Sequence, residues 1–329
     1  MQRHAWADAG VLLHLAGVLV RIAAARVRHR IDILYYVPAG PDRVAIWRDF
    51  LILIPSRPLF RKTVFHFHAS GLSTAYPHLT AVERLLFRAA YFEPAAAIRL
   101  APDTEPDGAF VHARSEFIIP NGIEDRTRDV AHVADASNIP FRGPRDSAVP
   151  RLLWVSNLIE SKGIFVLLDA CAILGQRGVP FELDIVGASS ADAVRDRIAR
   201  RIEELGSPHV RMCGSLTGDA KWQAFARADV FCLPTYYERE GMPLVVLEAM
   251  QFALPVVATR WRGLPSMVTD GETGFLVPVR DSVATADRLE TLIRDGNLRR
   301  AFGTAARAAF ERNFTLQIFS ARLERALLS

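Results

Sequence analysis

The chain has 329 residues, more than one hydrophobic core usually serves, since single cores stop growing near about 250–300 residues, and a length that suits two domains. Half of its residues are hydrophobic and 23% are charged, which excludes a disordered chain. Its formal charge is +4 with a pI of 9.2, and only Lys62, Lys162 and Lys221 among its 40 basic residues are lysines; this diffuse surplus fits phosphate-bearing ligands or an anionic membrane surface and lacks the clustered basic stripe of a nucleic-acid binder.

The chain opens with a helical pattern over 6–28 that carries Arg21, Arg26, Arg28 and Arg30 near its end. An apolar stretch within it, 10–20, follows Arg3 in the manner of a signal peptide, but His14 interrupts it and Arg21 closes it. At about ten residues it is too short to span a bilayer, so the protein reads as cytoplasmic. Two roles stay open for this helix: a peripheral contact with an anionic membrane, or plain packing of its apolar face on a sheet.

Strand candidates at 31–37, 63–68, 97–101 and 117–119 follow, then a stretch at 120–150 rich in Asp, Arg, Pro and Asn that reads as a linker. Beyond it, strands at 152–156, 181–186, 210–213, 230–233 and 255–259 alternate with helical patterns at 164–174, 191–204, 219–228 and 244–252. That alternation predicts parallel βαβ units and hence an α/β fold of two Rossmann-like, doubly wound domains facing across a cleft. The expected division is 1–147, 148–312 and a C-terminal helix within 313–329 that packs on either domain. Cys171, Cys213 and Cys232 lie far apart in apolar runs and read as buried thiols without a disulfide or zinc framework.

Three segments carry chemistry. In EREGMPLVVLEAM, Pro243 fits the first position of a helix, so the free amides of Leu244 and Val245 present an anion site. Glu240 falls in the loop before that helix and Glu248 one turn beyond Leu244, in an apolar run where a buried carboxylate needs donors such as ribose hydroxyls; the other reading puts Glu248 on an exposed stripe. In SNLIESKG, Lys162 and Gly163 precede a helix, where a flexible cation and bare backbone approach a diphosphate, unless the lysine is merely solvated. In HFHASG, His68 ends a strand where a neutral imidazole could bond a sugar hydroxyl, while His66 could point to the other face. The two histidines lack a carboxylate or cysteine at metal-ligand spacing.

Together with DIVGAS, MCGSL, RGLPSMV and DGETGFLV, and with the looser matches ILYYV, KTVFHFH and PNGI (Asn121, Gly122), these segments resemble the family 4 retaining glycosyltransferases of GT-B fold in order and spacing. The resemblance implies a nucleotide-sugar donor, a saccharide or lipid-linked acceptor, and transfer with retention through an oxocarbenium-like state, without a metal or other cofactor and without nucleic acid as partner. It makes Glu248 the carboxylate on the donor ribose and Lys162 the cation on the departing diphosphate. It sets Glu240 and the amides of Gly241 and Met242 near the donor sugar and diphosphate, with His68 near the transferred sugar. Gly187, Gly214 and Leu216 line the nucleotide pocket, and Asn157, Gly163, Pro243 and Leu244 border the donor.

Two departures stand out. Asn157 occupies the place where the family commonly has a second diphosphate-binding arginine. The family also opens with a strand and a glycine-rich loop, whereas this chain opens with a later helix, so the N-terminal domain is expected to be incomplete and the coding DNA upstream of Met1 to continue in frame. Two further functions compete with transfer. A nucleotide-binding remnant or partner subunit would bind without turnover, and a GT-B epimerase would isomerise the donor with no acceptor present.

Overall fold

The computed structural model describes residues 9–69, 71–127, 149–188, 192–206 and 209–329. The chain divides into two compact units, Met1–Ile119 with Arg322–Ser329, and Pro120–Ala321. The boundary expected at 147/148 and most of the expected linker, 128–148, lie outside the described residues.

The first unit begins with helix α1 (Ala9–His29), followed by β1 (Ile33–Tyr36), α2 (Arg43–Ser56), β2 (Lys62–Phe67), α3 (Ala81–Tyr91), β3 (Ala96–Arg99) and β4 (Glu116–Ile118). Its four strands pair in sequence order, all parallel, and β1 is an edge strand. Phe50, Phe65, Phe87 and Tyr91 pack edge-on and tilted between the sheet and helices α2 and α3, with ring centroids 4.5–6.4 Å apart. Asp49 sits inside this apolar core because four residues donate to it: the hydroxyls of Tyr36 (2.7 Å) and Tyr91 (2.9 Å), the amide of Ala39 (3.0 Å) and the guanidinium of Arg48 (3.1 Å). Helix α3 starts where the sequence dictates, at a capping box in which Thr80 and Glu83 exchange hydrogen bonds.

The second unit holds β5 (Arg151–Val155), α4 (Ile164–Gln176), β6 (Glu182–Val186), α5 (Asp192–Leu205), β7 (Val210–Gly214), α6 (Gly218–Arg227), β8 (Val230–Leu233), α7 (Leu244–Gln251), β9 (Val256–Thr259), β10 (Gly274–Val277), α8 (Ser282–Arg294), α9 (Gly296–Asn313) and α10 (Leu316–Leu328). The last helix continues into the residues grouped with the first unit. All six strands are parallel, in the order β10-β9-β8-β5-β6-β7. Strands β8 and β9 are buried at every residue, as their unbroken apolar runs require in a sheet covered on both faces. Strand β10 lies in DGETGFLV, whose interest in the sequence was as a motif and not as a strand.

Sheet order fixes where a ligand can sit. Successive strands run outward from β5 in one direction as far as β7, and the chain then returns to β8 on the other side of β5. Loops after β5 and β8 therefore diverge at a topological switch point, the place where open α/β sheets bind ligands beyond the carboxyl ends of their strands.

The thiols differ from expectation in one case. Cys171 and Cys232 are buried, and burial pushes both up from the usual thiol range, but Cys213 is exposed. It falls on the edge strand β7, where only Val210 is buried, so an apolar neighbourhood in sequence does not translate into a covered face.

Candidate functional site

At the switch point the backbone itself sets the geometry. Gly163 caps α4 in a left-handed conformation (φ +81°), and a Cβ there would stand 2.0 Å from the carbonyl oxygen of Pro234 at the end of β8. Gly187, at φ +154°, likewise lets the loop after β6 pass the Ser156 carbonyl, where a Cβ would be 1.8 Å away, and its amide donates to Gly214 O at 2.8 Å. Glycine thus lets the chain after β5 meet the end of β8, and the chain after β6 meet the end of β5, at van der Waals limits, while a hydrogen bond ties β6 to β7.

Lys162, in the one-turn helix Glu160–Lys162, has its carbonyl near Trp154 Nε1 (3.4 Å) and the preceding Ser161 carbonyl bound by Tyr236 N (2.7 Å). Its Nζ lies 2.8 and 3.0 Å from the two carboxylate oxygens of Glu240 and 4.6 Å from the centroid of the Tyr237 ring. The Thr235 hydroxyl is 3.0 Å from Glu240 Oε2. The pair is largely withdrawn from water, with side chains 14% and 7% exposed, so Lys162 is not a solvated surface lysine. An ammonium carries three N–H donors; two face Glu240 and one is left to meet a ligand.

Pro243 is the N-cap of α7 (φ −67°, ψ 116°), one position before the first helical residue expected of it. Its carbonyl accepts from Val246 N at 3.0 Å, so the helix start lies at Leu244, which is exposed. Gly241 and Met242 are buried just before the cap. Met242 is fixed by Asn121, whose amide donates to Met242 Sδ and whose Nδ2 donates to Met242 O, each at 3.3 Å. Glu248 is buried rather than on an exposed stripe. One of its oxygens, Oε1, receives a hydrogen bond from Lys221 Nζ at 2.6 Å, while Oε2 is buried with no hydrogen-bond partner among the described residues.

The other candidates fall differently. Asn157 is exposed at the end of β5, its carbonyl bonded to Ile159 N (2.7 Å). Leu216 lines a cavity of about 410 Å³ with Arg151, Asp184, Arg211 and Arg227, a set that contains none of Lys162, Glu240 and Glu248. In the first unit His68 follows β2 and is half-buried, with His66 buried on the strand and the two rings 4.2 Å apart. The pair shares a face, as side chains two apart on a strand must, so the expectation that His66 turns to the other face is corrected. Tyr35 Oη lies 2.6 Å from His66 Nδ1. Burial holds both imidazoles below the usual histidine range, His66 down to about 3 with the neighbouring His68 contributing, so both are neutral near pH 7.

Lys221, Thr235 and Tyr237 were not expected at the site. Lys221 had a signal, since it is one of only three lysines in the chain. Among the described residues, no three His, Cys, Asp or Glu side chains gather as a metal site.

The D-inositol 3-phosphate glycosyltransferase of Corynebacterium diphtheriae is 35% identical over 177 residues, 53% of this chain and 41% of that one. A putative colanic acid biosynthesis glycosyltransferase, WcaL of Salmonella typhimurium, is 31% identical over 196 residues, 57% of this chain and 48% of that one. The match thus spans less than half the length of these relatives. Among solved structures, Anabaena HepE in complex with UDP superposes with a TM-score of 0.73 at 20% identity, covering 95% of this chain and 82% of that one. A sucrose-phosphate synthase from Thermosynechococcus elongatus gives 0.70 at 21% identity, over 95% and 78% of the two chains. These likenesses identify the fold as GT-B, with its two parallel α/β sheets. Residues 135–309 match the model of the family described as "Glycosyl transferases group 1", more than half of the chain, and the protein belongs to that family.

Proposed function

We propose that the protein moves a sugar from a nucleotide-sugar donor to a saccharide or lipid-linked acceptor, with retention at the anomeric carbon, in the assembly of a cell-surface polysaccharide or glycoconjugate. The observation that carries this reading is Glu248: a buried carboxylate with one oxygen lacking a hydrogen-bond partner, on the helix that leaves the switch point, is an acceptor waiting for hydroxyl donors. A nucleotide ribose supplies such donors. Lys162, with its spare N–H directly ahead of α4, would neutralise the diphosphate as its bond to the anomeric carbon breaks, which is electrostatic stabilisation of a leaving group. No metal or other cofactor enters this reading, because lysine provides the positive charge. Glu240 and the amides of Gly241 and Met242 border the donor sugar in this reading. The names of relatives acting in colanic acid and capsular polysaccharide biosynthesis support the acceptor class.

Titration separates the two glutamates. Glu248→Ala should weaken UDP about tenfold or more, the size of a lost charge-assisted hydrogen bond, whereas Glu240→Ala should chiefly lower the extra affinity of UDP-glucose over UDP and the rate of transfer. Equal UDP affinity for wild type and Glu248→Ala would remove the ribose assignment. The same pair of titrations with GDP and GDP-mannose covers a purine donor.

The proposed location is the cytoplasm, peripherally at the inner membrane face. Support comes from α1, which has no acidic residue and leaves Leu13, Val20 and Val27 exposed at 74%, 68% and 80% along one seven-residue stripe beside the exposed Arg21 and Arg28. Among the described residues no helix is long and apolar enough to cross a membrane. Co-sedimentation with anionic vesicles reads this contact directly.

A further inference from the structure

We infer that Lys221 is a positioning residue of the donor site: it holds one oxygen of Glu248 so that the other is presented to the vicinal hydroxyls of a nucleotide ribose. The inference rests on the donor-site reading above.

The first argument is compositional. A chain with 40 basic residues uses lysine three times, and Lys62 is exposed on the first unit. The other two each meet one of the glutamates of EREGMPLVVLE, Lys162 on Glu240 and Lys221 on Glu248. The choice of lysine has a physical reason. A guanidinium is a planar fork that engages both oxygens of a carboxylate at once, whereas an ammonium is a compact point charge that can take one and leave its neighbour. At Glu248 that is the observed state, with Nζ 2.6 Å from Oε1 and Oε2 buried without a partner.

The second argument is mechanical. Lys221 lies on α6, and α6 is keyed to the end of α7 by stacked rings: Trp222 and Phe225 lie 6.3 and 5.9 Å from Phe252, at interplanar angles of 19° and 12°. The Lys221 ammonium is also 5.0 Å from the Trp222 ring centroid. The two helices therefore hold lysine and glutamate in fixed register, and the carboxylate cannot swing to bring Oε1 to a ligand without giving up its ion pair. A vicinal diol needs an acceptor aimed at it, and a preset oxygen saves the ordering cost on binding.

The test measures ribose discrimination, the ratio of the dissociation constant of 2′,3′-dideoxy-UDP to that of UDP, in the full chain. Wild type should show a ratio of about ten or more and Glu248→Gln a ratio near one. Lys221→Met should lower the wild-type ratio at least about threefold, and Lys221→Met/Glu248→Gln should discriminate no less than Glu248→Gln alone, because the lysine acts only through the glutamate. Lys221→Arg, which keeps the charge but grips both oxygens, should also lose discrimination. A wild-type ratio in Lys221→Met overturns the inference; if that variant does not fold, a wild-type ratio in Lys221→Arg overturns it. Failure of the donor-site reading itself looks different, since wild type would then bind UDP and GDP no better than their dideoxy counterparts.

Discussion

Replacing Lys162 should have two separable effects, one on stability and one on affinity. The ammonium lies 2.8 and 3.0 Å from the Glu240 oxygens in a nearly dry setting, and among the described residues only the Thr235 hydroxyl, at 3.0 Å, also serves that carboxylate. Lys162→Met leaves Glu240 charged, buried and short of donors, which should cost about 3 kcal/mol of stability, the low end for breaking a buried ion pair. Lys162→Met/Glu240→Gln removes both charges and keeps the Thr235 contact, so stability should return to within about 1 kcal/mol of wild type. Affinity should behave otherwise. The lysine's third N–H is lost in both variants, and a charge-assisted contact of roughly 1.5–3 kcal/mol corresponds to about 10–150-fold weaker binding of a nucleoside diphosphate, with little change for the nucleoside. Urea denaturation gives the first quantity, and calorimetric titration with UDP and uridine the second. Asn157 stands exposed at the end of β5 and brings no charge that would replace the lysine's. If UDP and uridine weaken by the same factor, or if the double variant regains diphosphate affinity along with stability, Lys162 serves the fold and not the phosphate.

Two further outcomes can be checked without a donor. Burial holds the His66 pKa at about 3 against the ordinary 6.5, so below pH 6.5 the unfolded chain takes up a proton that the folded chain does not. The corresponding stability is present above pH 6.5 and lost as pH falls toward 3, about 1.5 kcal/mol of it between pH 6.5 and 5; His66→Gln should flatten that part of a denaturation-versus-pH series, and an unchanged slope would show that His66 is not the titrating group. For α1, exposed arginines near an anionic surface contribute about 1 kcal/mol each, so the protein should sediment with phosphatidylserine vesicles at low salt and be released at high salt, and Arg21→Glu/Arg28→Glu should weaken it. Protein that stays in the supernatant at low salt removes the membrane contact.

The second unit was legible because its strands are local, strongly apolar and closed by helices of clear period. The stretches 230–233 and 255–259, for example, lie in the sheet as β8 and β9 within one residue of the expected limits. Side-chain placement was less legible where it depends on neighbours far away in sequence. Cys213 sits in an apolar run but on an edge strand, and nothing in residues 210–213 says which strand will be last. Pro243 fits both the first helical position and the cap, since a fixed φ serves either, and the choice was made by the loop from Tyr237 to Met242 that delivers it.

The pairing of lysines with glutamates lies at the boundary of what a single sequence holds. Lys162 and Glu240 are 78 residues apart and meet only because β8 returns to the side of β5, a consequence of strand order. Lys221 and Glu248 are 27 apart and meet because three aromatic rings lock α6 against α7. Neither contact has a local signature, yet both leave a trace in composition. A chain that meets its need for positive charge with arginine keeps two of its three lysines against buried carboxylates, and Lys221 stands where a fork that takes both oxygens would leave nothing for a ligand. Rare use of one residue type within a single chain can therefore point to a site without an alignment, provided the chemistry that separates it from its common substitute is stated.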